Sequence, residues 1–252
     1  MQPEYYQRTE LLVGSLAMQE LRRARVAVFG VGGVGSWAVE SLVRSGIEHL
    51  TLVDFDTVAS SNINRQLPAT TLTVGQPKAE VLRQRMLEIN PEACIEIRNE
   101  AYTPLNGSTF DLSAYDYIID AIDSIDCKAH LIIESCRSKA VLFSSMGAAL
   151  KIDPSRIGIA EFWKVKGCPL AASLRRRFKK SGVFPRRKFK CVYSDELLKN
   201  HDLSLTEDHT TTSASPTAGK RPNGTVAHIT AIFGFTLASL VVRHIVDKTN
   251  SE

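Results

Sequence analysis

Three things are missing from this sequence: a signal core, a CxxC pair and an internal repeat. The opening residues, MQPEYYQRTELLVG, are polar or charged throughout, so no secretory leader is expected there. The five cysteines, Cys94, Cys127, Cys136, Cys168 and Cys191, are odd in number and irregularly spaced. That excludes a disulfide framework and predicts reduced thiols in a cytoplasmic setting. The six histidines show no ligand spacing, so a zinc centre is not expected. Uncharged apolar residues run on only over 229–242, ITAIFGFTLASLVV. This is shorter than the ~20 residues that span a bilayer, so it predicts a buried core helix and no membrane anchor. Acidic residues are absent from 164–190, which carries Arg175-Arg176-Arg177, Lys179, Lys180, Arg186-Arg187-Lys188 and Lys190. Such a stretch is either a candidate anion surface or a solvated basic loop.

With 252 residues and 44% hydrophobic content, the chain can build one large α/β core. Leu11, Leu12, Leu16 and Leu21 recur at helical spacing and predict an N-terminal helix over 8–23. Strand-like runs follow at 26–29, 50–54, 94–98, 117–120 and 141–145, with helical patterns between them at 37–44, 78–89 and 128–137. This alternation predicts a Rossmann-like, mainly parallel sheet flanked by helices. Beyond Ser145, KIDPSRIGIAEFWKV turns and then alternates, so antiparallel strands are expected to be added in the C-terminal half. A polar, turn-forming stretch over about 198–224 predicts a long mobile crossover loop, leading into a last helix over about 225–246. No linker separates independent cores. A single domain over 1–252 is expected, with a nucleotide-binding half over 8–150 and a substrate-facing half over 151–252.

The apolar run ending at Phe29 breaks into Gly30-Val31-Gly32-Gly33-Val34-Gly35 before a helical pattern resumes. A strand, tight turn and helix of this kind presents free N–H groups to a phosphate at the positive end of the helix. Asp54 closes the next strand about 20 residues on, where a carboxylate meets ribose hydroxyls. On these features NAD and ATP fit equally well. The continuation, DFDTVASSNINRQL, adds Asp56, Asn62, Arg65 and Gln66 at the ligand edge of the sheet. Lys78 opens the following helix, and DAIDS puts Asp120 and Asp123 after the fourth strand. Two cations and a carboxylate have little to do for NAD. For ATP, Arg65 and Lys78 would neutralise the triphosphate, and Asp123 would hold Mg2+.

In that order, GxGGxG, DxDxVxxSNxxRQ, Lys and DxxD resemble the adenylating fold of ubiquitin-activating enzymes and of thiamine- and molybdopterin-biosynthesis adenylyltransferases. The resemblance implies adenosine contacts at Gly30, Gly32, Gly33, Gly35 and Asp54, and phosphate contacts at Asn62, Arg65, Gln66 and Lys78. It makes Asp123 the magnesium ligand and Arg8 an arginine reaching into the site of a second copy in a homodimer. The two CxxC pairs usual in sulfur-carrier adenylyltransferases are absent. GVGGVGSWAVESLVRSGI, NINRQ, KAEVLRQRMLEINP, YIIDAIDSIDCKAHLI, KIDPSRI, CPLAASLRRRFKK and KCVYSDE are together similar to the tRNA threonylcarbamoyladenosine dehydratases. The sequence departs from that family at SSMGAAL and in the Ser/Thr-rich loop. The implied activity is ATP-dependent cyclisation of a modified adenosine next to the anticodon, and the basic stretch becomes a tRNA surface. The alternative is activation of the C-terminus of a ubiquitin-like or sulfur-carrier protein. In that setting Cys191, beside two lysines in KFKCVYSDE, would be either a low-pKa thiol or a half-buried strand residue.

Overall fold

The computed structural model describes residues 3–201 and 222–251. A seven-stranded sheet runs β3-β2-β1-β4-β5-β7-β6, formed by β1 (Arg25–Phe29), β2 (His49–Val53), β3 (Cys94–Arg98), β4 (Tyr117–Asp120), β5 (Val141–Ser145), β6 (Ile157–Glu161) and β7 (Lys190–Ser194). In β1 and β2 every residue after the first is buried, the apolar run expected of parallel strands covered on both faces. From β1 the chain winds outward to β2 and β3, then returns to place β4 on the other side of β1. The crevice above the C-terminal ends of β1 and β4 is therefore the topological switch point, where such sheets bind ligands.

One face of the sheet packs against α2 (Ser15–Arg23), α3 (Gly35–Arg44), α4 (Lys78–Ile89) and α7 (Ala227–Thr249). The other packs against α5 (Ile125–Arg137) and α6 (Pro169–Ser181). By length and composition α7 is apolar enough to cross a membrane, yet Ile229, Phe233, Leu237 and Val241 are buried in the first core. Gly234 explains how α7 comes so close to α3: a Cβ there would lie 2.5 Å from the Val34 carbonyl oxygen.

The structure departs from the sequence-based expectations in three places. The N-terminal helix is broken at Gly14 (φ 85°, ψ 158°) into α1 (Gln7–Val13) and α2. Leu11, Leu12 and Leu16 are 82%, 86% and 68% exposed, and Leu21 alone of the four enters the core. Periodicity reported an apolar stripe without saying what covers it. Of the added strands, β6 is antiparallel to β7, but β7 itself is parallel to β5. Half of the basic stretch is the helix α6. Its anchors Ala171, Leu174 and Phe178 lie on one face and are hidden in sequence by the cations between them. Cys94 is exposed, although it sits in a strand. Of the expected crossover loop, residues 202–221 lie outside the described residues. Its flanks are tied together by Asn200, whose side chain donates to the Pro222 carbonyl (3.1 Å) and accepts from the Gly224 N–H (2.8 Å).

Arg187 has a structural task. Its guanidinium donates to the carbonyls of Ser135, Cys136, Ser138 and Ala140, closing the C-terminus of α5 where carbonyls have no helical partner. Arg187→Ala is expected to lower the unfolding free energy by about 2 kcal/mol, read from urea denaturation.

Candidate active site

The turn after β1 is shaped by contacts that only glycine permits. Gly30 has φ 85°, and a Cβ on it would lie 2.9 Å from the Ala121 carbonyl oxygen; one on Gly35 would lie 1.8 Å from the Gly30 carbonyl oxygen. The turn is thus locked between β4 and the start of α3. Asp54, 9% exposed at the end of β2, fastens it further: Oδ2 accepts the Val31 N–H (2.7 Å) and Oδ1 the Asp56 N–H (2.9 Å). Burial pushes the Asp54 carboxyl above its usual range, against those two N–H groups and the charge of Lys78. The N–H groups of Gly32, Gly33 and Val34 bond no described residue. Three donors pointing from a helix start make a ready anion site.

The segment from Asp54 to Lys78 folds back on itself. Val58 N–H donates to Gln76 O (2.8 Å), and Lys78 N–H donates to Asp56 O (3.0 Å). Lys78, at the first position of α4 and 5% exposed, pairs its Nζ with Asp56 Oδ2 at 2.8 Å. Arg65 is half-buried, and burial lowers its pKa. Its guanidinium donates to the Ser61 carbonyl (2.9 Å) and Asn64 Oδ1 (2.8 Å), while its own carbonyl is held by Trp37 Nε1 (3.1 Å) and Thr230 Oγ1 (3.3 Å). A Cβ on Gly33 would lie 3.6 Å from Arg65 Cγ, and one on Gly32 would lie 3.7 Å from Gln66 Nε2. Arg65 and Gln66 therefore stand beside the glycine turn. Gln66 Oε1 is buried there without a hydrogen-bond partner. An orphaned polar atom, three free N–H groups and two cations at one crevice fit a polyphosphate nucleotide.

Other residues singled out in the sequence have different positions. Asn62 spends its Oδ1 capping its own turn, on the Ala59 N–H (3.1 Å). Asp123, exposed in the loop after β4, bonds no described residue. Asp120 ends β4 at the ligand edge, but its side chain is turned into the interior: it is fully buried and bound to Lys128 Nζ (2.8 Å) and Ser144 Oγ (2.6 Å). Arg8 is exposed on α1, away from its own chain's turn. The preceding residues anchor at the far end of α3 and α4, through Tyr6 Oη to Val43 O (2.7 Å) and Tyr5 Oη to Asn90 Oδ1 (3.0 Å). Trp37, Thr230, Lys128 and Ser144 were not identified from sequence. Their partners lie far along the chain, and no local motif marks them.

This arrangement of glycine turn, Asp54, Arg65 and Lys78 extends into a likeness along nearly the whole chain, since residues 6–252 match the ThiF family. The chain belongs to the ThiF family. It is 39% identical over 238 residues to a tRNA threonylcarbamoyladenosine dehydratase of Haemophilus influenzae, covering 92% of this chain and 89% of that protein. The crystal structure of the E. coli tRNA N6-threonylcarbamoyladenosine dehydratase TcdA in complex with ATP superposes with a TM-score of 0.84 at 35% identity, covering 99% of this chain and 96% of that one. A molybdopterin-synthase adenylyltransferase of Salmonella typhimurium is 35% identical over 141 residues, 54% of this chain and 53% of that protein.

Within this ThiF-family fold, the basic residues divide into two groups. Arg175 donates to the carbonyls of Phe162 (3.2 Å) and Val165 (3.0 Å), Arg177 pairs with Asp126 (2.8 Å), and Arg187 closes α5. Arg186, Lys179, Lys180, Lys188 and Lys190 are exposed without an ion pair to a described residue; Arg176 is also exposed, bonding only Ser173 Oγ at 3.1 Å. Cys191 is fully buried in β7, and burial drives its thiol well above the usual range, outweighing Lys128. The low-pKa reading of this thiol is therefore corrected: the neighbouring lysines in sequence do not offset the lost hydration. Iodoacetamide is expected to label the exposed Cys94 in the native protein and to reach Cys191 only after unfolding, as read by peptide mass mapping.

Proposed function

We propose that this ThiF-family protein is an ATP-dependent tRNA threonylcarbamoyladenosine dehydratase. The observation that carries this reading is the cluster of Lys78, Arg65 and free N–H groups at the switch point, in a chain that resembles such dehydratases over nearly its full length. In the reaction, the threonine carboxylate attacks the α-phosphate of ATP and pyrophosphate leaves. The acyl-adenylate then closes on a neighbouring nitrogen or oxygen of the same side chain. AMP departs carrying one carboxylate oxygen, so the nucleoside loses one water overall.

The protein's share of this is alignment and charge neutralisation. The N–H groups of Gly32, Gly33 and Val34, with Gln66, hold phosphate oxygens; Asp54 takes ribose; Arg65 and Lys78 offset charge developing on the phosphates. Asn62 keeps Arg65 in place by capping the turn before it. Mg2+ bound through Asp123, with phosphates and waters completing its shell, would supply further charge neutralisation. The exposed stripe of Leu11, Leu12 and Leu16 supports a homodimer, in which Arg8 serves the second copy's site. Five unpaired cysteines are in keeping with a cytoplasmic enzyme. The tRNA surface is drawn from Arg176, Lys179, Lys180, Arg186, Lys188 and Lys190. Their neutralisation is expected to flatten the salt dependence of tRNA affinity.

The test is AMP formation from ATP. It is expected to require tRNA carrying threonylcarbamoyladenosine. Pyrophosphate exchange driven by a small carrier protein in the absence of tRNA would overturn the assignment in favour of a sulfur-transfer role.

A further inference from the structure

Three strands away from the glycine turn, the β6–β7 side of the sheet carries an aromatic surface that adenylation does not use. There β6 ends and β7 begins, with Glu161 paired to Lys190. Phe162 and Phe189 stack at 5.0 Å between ring centroids, and Phe178 meets Phe162 edge-on at 5.7 Å. All three are buried. On this floor stand Trp163 and Phe184, 40% and 47% exposed, with centroids 6.1 Å apart. Trp163 is held from beneath by Phe162 at 5.1 Å. An aromatic ring fixed on one side and bare on the other can accept a stacking partner at little entropic cost.

The frame around the rings is cationic. Lys164, Lys179, Lys180, Arg186 and Lys188 are exposed in the same three segments, and none has an ion pair among the described residues. An apolar protein partner would leave this charge unanswered, and a regular duplex would offer the rings no unstacked base. Unpaired RNA answers both, with bases for the rings and phosphates for the cations.

We propose that Trp163 and Phe184 form a stacking platform for unpaired nucleotides of the tRNA, whose backbone is held by Lys164, Arg186 and Lys188. This rests on the dehydratase reading above. β7 lies three strands from β1, and neighbouring strands are ~4.8 Å apart, so the platform stands about 14 Å across the sheet from the glycine turn. The nucleotides it takes are therefore not the one being modified, and we place this second point of grip outside the anticodon loop.

The experiment compares the affinities of full-length tRNA and of an isolated anticodon stem-loop for the parent and for Trp163→Ala, Phe184→Ala, Trp163→Phe and Arg186→Gln. Each alanine variant should bind full-length tRNA roughly ten-fold more weakly. Trp163→Phe should stay near the parent, and Arg186→Gln should lower the salt slope by about one ion. Stem-loop and ATP affinities should not move in any variant. The proposal is overturned if the parent binds full-length tRNA and the alanine variants bind it equally well, or if they lose affinity for the stem-loop to the same degree. Should an alanine variant fail to fold, as a collapse of ATP affinity would reveal, Arg186→Gln still decides: an unchanged salt slope counts against the platform. A parent with no affinity for any tRNA overturns the dehydratase reading instead.

Discussion

Lys128→Met should lower the unfolding free energy by about 3–5 kcal/mol, the range found when one partner of a buried ion pair is removed. Lys128 Nζ lies 2.8 Å from Asp120 Oδ2, and both side chains are 0% exposed. Nζ also donates to the Ile122 carbonyl (3.0 Å), and Asp120 accepts from Ser144 Oγ (2.6 Å) and from the Ile122 N–H (3.2 Å). These bonds join the end of β4 to the first turns of α5 and fold the loop between them. That loop carries Asp123 and presents the Ala121 carbonyl against Gly30, so its disorder would also loosen the glycine turn. Methionine keeps the bulk and removes the charge, leaving a buried carboxylate without its cation. The double variant Asp120→Asn with Lys128→Met should recover a substantial part of the loss. Urea denaturation of the two proteins measures the difference. A change below about 1 kcal/mol for Lys128→Met would contradict the role given to the pair.

Lys78→Ala and Arg65→Ala should each reduce tRNA-dependent AMP formation by about 10²–10³-fold, the usual cost of losing a preorganised charge at a transition state. Neither should cost much stability. The partner of Lys78 is Asp56, whose side chain is 45% exposed, so the freed carboxylate is hydrated at little cost. Arg65 loses only two short-range bonds, to Ser61 and Asn64. The two residues therefore separate chemistry from folding, whereas Lys128 joins them. Parallel denaturation curves and initial rates read the two effects apart. Equal losses of stability and rate would mean that the cations act by holding the loop.

The fold of the first half was largely legible in sequence because its signals are local. A glycine turn needs glycines where backbone meets backbone, as Gly30 and Gly35 do here. Parallel strands buried on both faces declare themselves as apolar runs, and α4 spans Lys78–Ile89, the range its periodicity predicts. Features that depend on contacts between distant segments were not legible. Asp120 reads as a ligand-edge carboxylate until Lys128 and Ser144 are found beside it in the interior. Arg175, Arg177 and Arg187 look like their neighbours in a basic run, yet each is engaged by a different structural partner. Leu11, Leu12 and Leu16 mark an apolar stripe whose cover is not in the chain's own core. Charge and hydropathy identify what a residue can do; the fold decides which partner it meets.

Incubating tRNA that carries threonylcarbamoyladenosine with the enzyme, ATP and Mg2+, then weighing the released nucleosides by mass spectrometry, tests the central claim most directly. The account predicts that the modified nucleoside loses the mass of one water, only when ATP is present, and not with Arg65→Ala or Asp123→Asn. An unchanged nucleoside mass with the parent enzyme, or full conversion by both variants, would contradict it.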